Sequence, residues 1–274
     1  MIQVVNQALI ILVPLAYLST LFAYARRMTG DFEAPKPKRP ITFLGLALLA
    51  HAVLLVSRYL IIDQLPWTNS FDVLSSLGFL MAFTYLLVEV ATRVSLTGID
   101  LLWLPFCLVT YAFAFGPIEP LANDKTDSSE FVLHTVPAVS ALAALLVSGL
   151  YGLLYLRLSR AIKNKNFGNL FRRMPSLENL ARMNLWAAAM GFLLVTVGIG
   201  VGATIYSDTI GRLDVFEPKI FMTLFVWTML LLPLGGKLSG RWSDRATALV
   251  SVIMVGVIVL SILVATLPFI SFER

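Results

Sequence analysis

Charged side chains are scarce in this chain of 274 residues, of which only 14% are Asp, Glu, Lys or Arg. A typical soluble domain carries about 25% charged residues. Hydrophobic residues make up 58% of the sequence, and the mean hydropathy is +0.83. This balance excludes an ordinary soluble domain and indicates an integral membrane protein.

Cysteine and histidine are nearly absent, which excludes several kinds of chemistry. Cys107 is the single cysteine, so no disulfide can form within one chain, and the lack of CxxC and CxxCH argues against thiol redox chemistry and covalent haem attachment. His51 and His134 are the two histidines, too few for a hydrolytic metal site of the usual kind. A Gly-rich phosphate loop, an HExxH motif and a Ser/His/Asp arrangement are also lacking. We therefore predict no catalytic residue, a non-enzymatic function and no nucleic-acid partner.

Long apolar runs are abundant instead. Pro105 is expected to break the fourth of them, and the first, which lacks a basic start and a cleavage site, is interpreted as a retained span. Only helices or closed barrels satisfy the backbone in lipid, and these runs are too long for barrel strands. The sequence thus predicts an all-α polytopic membrane protein, a single domain over 1–274. Its eight transmembrane helices are predicted at 4–25, 41–62, 71–92, 99–117, 131–156, 184–206, 218–236 and 246–270.

The fifth run is the segment around which we expect the bundle to be organised. It has no acidic or basic side chain and contains His134. Further along it, Ser148, Gly149 and Gly152 keep the helix thin, so a neighbouring helix or a flat ligand can approach closely.

Basic residues alternate between the loops. Sixteen of the 21 Lys and Arg residues lie in the odd-numbered loops, so the positive-inside rule predicts that these loops are cytoplasmic and that both termini lie outside. The longest of them is 157–183, in which Ser176 is predicted to cap a short helix, 177–183, that leads into the sixth span.

His51 lies near the middle of the second span, and Arg58 lies two helical turns further along the same face. In one interpretation His51 ligates a haem iron and Arg58 pairs with a propionate or an outer acid, because ionisable groups inside a membrane are often functional. In the other, His51 is a packing residue bonded to a neighbour's backbone, and Arg58 extends outward to the membrane surface. The residues alone leave both interpretations open.

Polar and aromatic residues at the predicted membrane surfaces are the remaining candidates. His134 is either a ligand at the outer surface or an interfacial histidine at a helix start. Asn69 or Ser70 is the predicted N-cap of the third span, where Asp72 favours the positive helix end. Trp242 is interpreted as an interface aromatic.

Taken in order, these segments resemble the cytochrome c assembly protein family, which includes the haem-handling CcsA, ResC and CcmC types. The resemblance covers most of the chain from the second span onward. Because 204–219 lacks the family's tryptophan-rich motif, the short HemX-like or YpjD-like branch is the most similar. The matching stretches are HAVLLVSRYLIIDQLPWTNSFD at 51–72, VLHTVPAVSALAALLVSGLYGLLYL at 132–156, PSLENLARMNLWAAAMGFLLVTVGIGVGA at 175–203, FEPKIFMTLFVW at 216–227 and GRWSDRA at 240–246.

The resemblance implies binding of haem b through His51 and His134, with Arg58 as a partner. These two histidines resemble members of different family pairs, one deep and one near the outer surface, so we expect separate haem sites. Phe216 and Lys219 stand where the family has Trp-Asp-Pro-Lys and would form a degenerate haem platform. The alternative is an ordinary loop followed by a helix that starts at Pro218.

The resemblance also implies a location and partners. We expect a bacterial cytoplasmic (inner) membrane, with other cytochrome c assembly subunits or apocytochrome as partners besides the lipid bilayer. Two other functions fit the sequence. One is a regulatory or scaffolding membrane subunit that binds no haem, and the other is a small-solute or ion transporter, which inverted repeats or paired broken spans would favour.

Overall fold

The computed structural model describes residues 2–29, 40–62, 69–116, 129–165, 168, 171, 173–210 and 218–266, and it has no strand in these ranges. Six of the helices, α1 to α6, are long and apolar enough to cross a membrane. The prediction of an all-α polytopic membrane protein is confirmed. The eight helices are α1 (Ile2–Thr29), α2 (Pro40–Ile62), α3 (Ser70–Thr92), α4 (Gly98–Phe115), α5 (Ser129–Lys163), α6 (Leu177–Ile210), α7 (Pro218–Leu238) and α8 (Asp244–Thr266).

Pro105 lies inside α4 without breaking it, so the predicted break is wrong. The proline is buried against α3, where a Cβ at Gly78 would lie 3.2 Å from the Pro105 carbonyl oxygen and 2.7 Å from Val109 Cγ2. The missing side chain of Gly78 therefore lets the two helices approach closely. Proline is tolerated inside a membrane helix for a second reason. The backbone carbonyl that loses its hydrogen bond at the proline can be satisfied by a neighbouring helix.

Helix α6 starts where the sequence predicted, at residue 177. Ser176 caps the helix as predicted, since its Oγ accepts a hydrogen bond from the Asn179 backbone N–H at 3.3 Å. The predicted short helix 177–183 does lead into the sixth span, and the two form one continuous helix that ends at Ile210. No glycine or proline occurs in 177–190, and Leu180 and Met183 are completely buried, so the packed face of the span extends into the polar segment.

Helix α5 is the centre of the bundle, as the sequence suggested. It packs on α6 and α8 along its length and also contacts α3 and α4. The first four helices form a second group, in which α1 packs on α2 and α4, and α3 packs on α2 and α4. Four tyrosines are among the largest completely buried side chains, which places phenolic hydroxyls deep in the bundle, where each needs a partner. They are Tyr17, Tyr24, Tyr85 and Tyr151.

Small and polar residues join α5 to α6 and α8. Asn184 Nδ2 donates to the Ser148 carbonyl oxygen at 2.8 Å, and Ser148 Oγ donates to Ser251 Oγ at 3.1 Å. Gly149 and Gly152 lie directly against α8. The expectation that these residues admit a neighbouring helix is confirmed, and the neighbour is α8.

Side-chain packing, a glycine conformation and an ion pair stabilise the turn between α7 and α8. The Trp242 ring lies against Gly236, where a Cβ would be only 2.4 Å from the indole Cδ1. Gly240 has a φ of +70°, a conformation that glycine adopts without steric cost. Lys237 and Asp244 form an ion pair across the turn. Trp242 therefore packs on its own turn rather than serving only as a surface aromatic.

Candidate functional site

His51 lies at the middle of α2 and is completely buried. Its Nδ1 is 3.1 Å from the Tyr17 hydroxyl oxygen on α1, and its Nε2 is 2.9 Å from Ser75 Oγ on α3. An uncharged imidazole has one donor and one acceptor nitrogen, so the two hydroxyls satisfy it completely. His51 faces the bundle interior as expected, but it is bonded to side chains rather than to a neighbour's backbone.

Aromatic rings enclose the imidazole. Tyr17 and Phe79 meet the His51 ring edge to face, with centroid distances of 5.7 Å and 5.3 Å. Phe113 lies on a further side with a centroid distance of 6.5 Å. Aromatic packing of this kind contributes stability beyond area burial, and with a completely buried imidazole it keeps water from the hydrogen bonds. Tyr17, His51 and Ser75 thus form a fixed link between α1, α2 and α3.

Arg58 forms a buried ion pair with Asp72 of α3. Its Nε donates to Asp72 Oδ1 at 2.5 Å, and the two side chains are 4% and 0% exposed. The guanidinium carbon also lies 4.6 Å from the centroid of the Phe71 ring, a favourable cation–π position. Arg58 thus has an acid as its partner, and the alternative that it extends outward to the membrane surface is wrong.

Asn69 helps to fix the position of Asp72 at the start of α3. Asn69 has an extended backbone, and its Oδ1 accepts the Asp72 backbone N–H at 2.9 Å, which makes it the N-cap of α3. This confirms one of the two predicted caps. The Asp72 carboxylate lies in the first turn, where the positive end of the helix dipole also favours it.

The other predicted site residues are described less completely. His134 lies on α5, five residues after its start, about 7 Å along the helix, and Lys219 is the second residue of α7; neither side chain is among the described ones. Phe216 lies outside the described residues. Helix α2 packs on α1 and α3, whereas α5 packs mainly on α6, α8 and α3. The predictions of separate histidine sites and of a haem platform stay predictions.

The chemistry of His51 suits a metal ligand in one respect. A ligating histidine usually has its other ring nitrogen held by a hydrogen bond, which sets the ring orientation, and Tyr17 provides that bond. Ser75 occupies the opposite nitrogen. Iron ligation by His51 therefore requires the Ser75 hydroxyl to turn away, which rotation about a single side-chain bond allows.

Glu89 is a buried ionisable residue that the sequence reasoning missed. It lies near the end of α3, is 6% exposed, and accepts a hydrogen bond from the Tyr24 hydroxyl. A sequence signal existed, because an acid inside an apolar span is itself unusual. Tyr85 is four residues before Glu89 and so lies on the same helix face.

Comparison with known proteins connects this bundle to one family. The family model described as "Cytochrome C assembly protein" matches residues 43–270. The cytochrome c biogenesis protein CcsA of Mesostigma viride is 24% identical over 230 residues, which is 74% of each chain. The CcsA proteins of two Synechococcus strains, CC9605 and CC9902, are 26% identical over 248 residues and 27% over 249. The alignment with the CC9605 protein covers 80% of each chain. The alignment with the CC9902 protein covers 78% of this chain and 80% of the relative. No solved structure matches the chain significantly.

Proposed function

Because the chain belongs to the cytochrome c assembly protein family, we propose that it serves cytochrome c biogenesis as a non-enzymatic membrane protein that binds haem. The family match includes α2 with His51 and α5 with His134. The observation that supports the proposal best is His51 itself. It is an imidazole in the middle of an apolar span, shielded from water and oriented by Tyr17.

The residues that would hold haem b are His51 and His134, each at its own site. Bound haem would supply an iron centre whose ligation and redox potential depend on the axial imidazole and its burial. His51 would offer Nε2 once Ser75 turns away, while Tyr17 keeps the ring oriented. Arg58 is engaged by Asp72, so it would contribute to a propionate only if that ion pair opened.

A second function is favoured by a specific observation. Both nitrogens of His51 are satisfied by protein hydroxyls, which is the arrangement expected of a packing histidine. A regulatory or scaffolding subunit of the assembly machinery would need nothing more. The partners proposed in either case are other assembly subunits or apocytochrome.

The absorption spectrum of the detergent-purified protein, oxidised and reduced, distinguishes the two functions. We expect a Soret band at up to two haems per chain. His51→Ala and His134→Ala should each remove only the haem at its own site, because the sites are separate. Ser75→Ala is the matched control, since it frees Nε2 of His51 and should retain or increase the haem. Phe216→Ala and Lys219→Ala should lower retention if the platform exists.

Three results would contradict parts of this proposal. A low-spin bis-histidine spectrum that disappears with either single histidine substitution would show one shared haem instead of two sites. Unchanged retention in the Phe216 and Lys219 variants would leave that segment an ordinary loop. No bound haem, even after reconstitution with haem b, would favour the scaffolding function.

We propose the bacterial cytoplasmic membrane as the location, with both termini on the outer side and the 157–183 segment in the cytoplasm. The alternation of basic residues along the loops supports this orientation. Reporter fusions after Arg173 and at Arg274 test it, and we expect cytoplasmic-type activity for the first and periplasmic-type activity for the second. An external Arg173 fusion would overturn the orientation.

A further inference from the structure

The Glu89 carboxyl group lies in a polar cluster away from the His51 site. It is near the C-terminal end of α3, and the Tyr24 hydroxyl donates to its Oε2 at 2.5 Å. Hydrogen bonds from a hydroxyl to a carboxylate are about 2.5–2.7 Å long, shorter than those between neutral groups. The Tyr24–Glu89 distance lies in this range.

This carboxylate has no cationic side chain within 4.0 Å in the part of the chain that the structure describes, where the ion pairs are Arg58–Asp72 and Lys237–Asp244. Arg27 attracts Glu89 electrostatically, but it lies beyond that distance and its side chain is exposed. The carbonyl end of α3 adds further negative potential. A buried ionised group is very unfavourable without a compensating charge, so an ionised Glu89 would need a cation in the cluster.

Neutral oxygen atoms surround the same group. Tyr85 and Tyr151 are completely buried, and both interact with Glu89. Tyr85 is close to Glu89 and Tyr151 is close to the buried Thr97 hydroxyl, but none of these three hydroxyls makes a hydrogen bond of ordinary geometry among the described residues. Each such oxygen has lone pairs that a cation can share. One carboxyl group and several hydroxyl oxygens therefore lie in the same part of the bundle.

Backbone packing fixes this arrangement. The Tyr24 ring lies against Gly98, where a Cβ would be 2.1 Å from the Tyr24 Cδ1, so only glycine leaves room for the ring. Tyr24 and Tyr85 meet edge to face with a centroid distance of 5.8 Å. The oxygen atoms thus come from α1, α3, the turn before α4, and α5, and they are preorganised by the fold rather than by a flexible loop.

We propose that this cluster binds a monovalent alkali cation, with the Glu89 carboxylate as the charged ligand and the hydroxyl oxygens of Tyr85, Tyr151 and Thr97 as neutral ligands. A hard cation takes oxygen ligands, and one carboxylate balances one positive charge. Divalent ions generally use more carboxylates or phosphates, and no group of three His, Cys, Asp or Glu residues occurs among the described residues.

Thermal unfolding of the purified full-length protein tests the site. The midpoint is followed by tryptophan fluorescence at constant ionic strength in sodium, potassium or N-methyl-D-glucamine chloride. Sodium or potassium should raise the midpoint by several degrees with saturation, because a ligand that binds only the folded state stabilises it. N-methyl-D-glucamine is too large to enter and should have no such effect.

Variants separate this site from a general salt effect. Glu89→Gln should abolish the saturable response, whereas Glu178→Gln, at an exposed acid in the first turn of α6, should retain it. Tyr85→Phe and Tyr151→Phe keep the rings and remove one oxygen each, so the half-saturating concentration should rise about tenfold. These two variants decide the question if the glutamine variant does not fold.

Two results would overturn the proposal. One is an equal response to all three cations, or a response that persists in the Glu89 and tyrosine variants. The other is an infrared band of a protonated carboxyl group in the wild-type protein that disappears in Glu89→Gln, since a proton would then supply the missing charge.

Discussion

Replacing Asp72 with asparagine is expected to lower the free energy of unfolding by about 3–5 kcal/mol, because it removes the carboxylate charge that pairs with the buried Arg58 guanidinium. Asparagine keeps the shape of the side chain, and the Asp72 backbone N–H can still donate to Asn69. The change therefore removes charge while keeping packing and helix cap. Unfolding in mixed micelles titrated with sodium dodecyl sulfate measures the loss.

Asp244→Asn is the matched control for this prediction. Its ion pair with Lys237 is about one-third exposed at both side chains, 34% and 35%, so its removal should change stability by less than about 1 kcal/mol. Equal losses for the two asparagine variants would contradict the argument that burial makes the Arg58–Asp72 pair critical.

A double substitution gives a second check on the same physics. Arg58→Met combined with Asp72→Leu removes both charges of the pair together. Buried ion pairs can often be replaced by apolar side chains at little net loss. The double variant should thus be more stable than Asp72→Asn, and a greater loss would show that the pair itself contributes net stability.

Replacing Gly152 with alanine is expected to lower the free energy of unfolding by about 1–3 kcal/mol through overpacking. The new methyl group would lie 2.7 Å from the Ala248 carbonyl oxygen of α8 and 3.2 Å from Asn184 Nδ2 of α6. A backbone carbonyl cannot turn aside as a side chain can. The two helices must therefore separate, which also weakens the hydrogen bonds around Ser148 and Ser251.

Gly256→Ala provides the control on α8. A Cβ at Gly256 meets nothing within 4 Å, and the residue is exposed on its helix. Alanine should be neutral there or stabilise the helix by up to about 1 kcal/mol, because it has the higher helix propensity. A loss at Gly256 as large as that at Gly152 would mean that close helix contact is not the cause.

The helices were predictable because the bilayer imposes a simple rule on sequence. A span needs about 20 apolar residues, and the eight predicted runs became eight described helices, six of which are long and apolar enough to cross a membrane. One prediction was wrong. Pro105 is a helix-ending signal in water, but α4 continues through it where it packs closely against α3.

The candidate site was predictable only in part. His51 and Arg58 could be identified because ionisable groups are rare in apolar spans. The partners of His51 could not, because Tyr17 and Ser75 lie 34 and 24 residues from His51 in the sequence. Glu89 was missed although an acid in an apolar span is a signal, and only the structure pairs it with Tyr24, 65 residues away on a different helix.

The sequence by itself determined that this is a multi-pass membrane protein of the cytochrome c assembly family, because apolar length, the order of its motifs and the rarity of charge are properties of the chain. Only the tertiary structure decided which polar groups satisfy one another. In an apolar surrounding a polar atom gains more from a partner than it does in water, and the partner is chosen by which helices pack together. Helix packing thus joined Arg58 to Asp72, His51 to two hydroxyls and Glu89 to Tyr24.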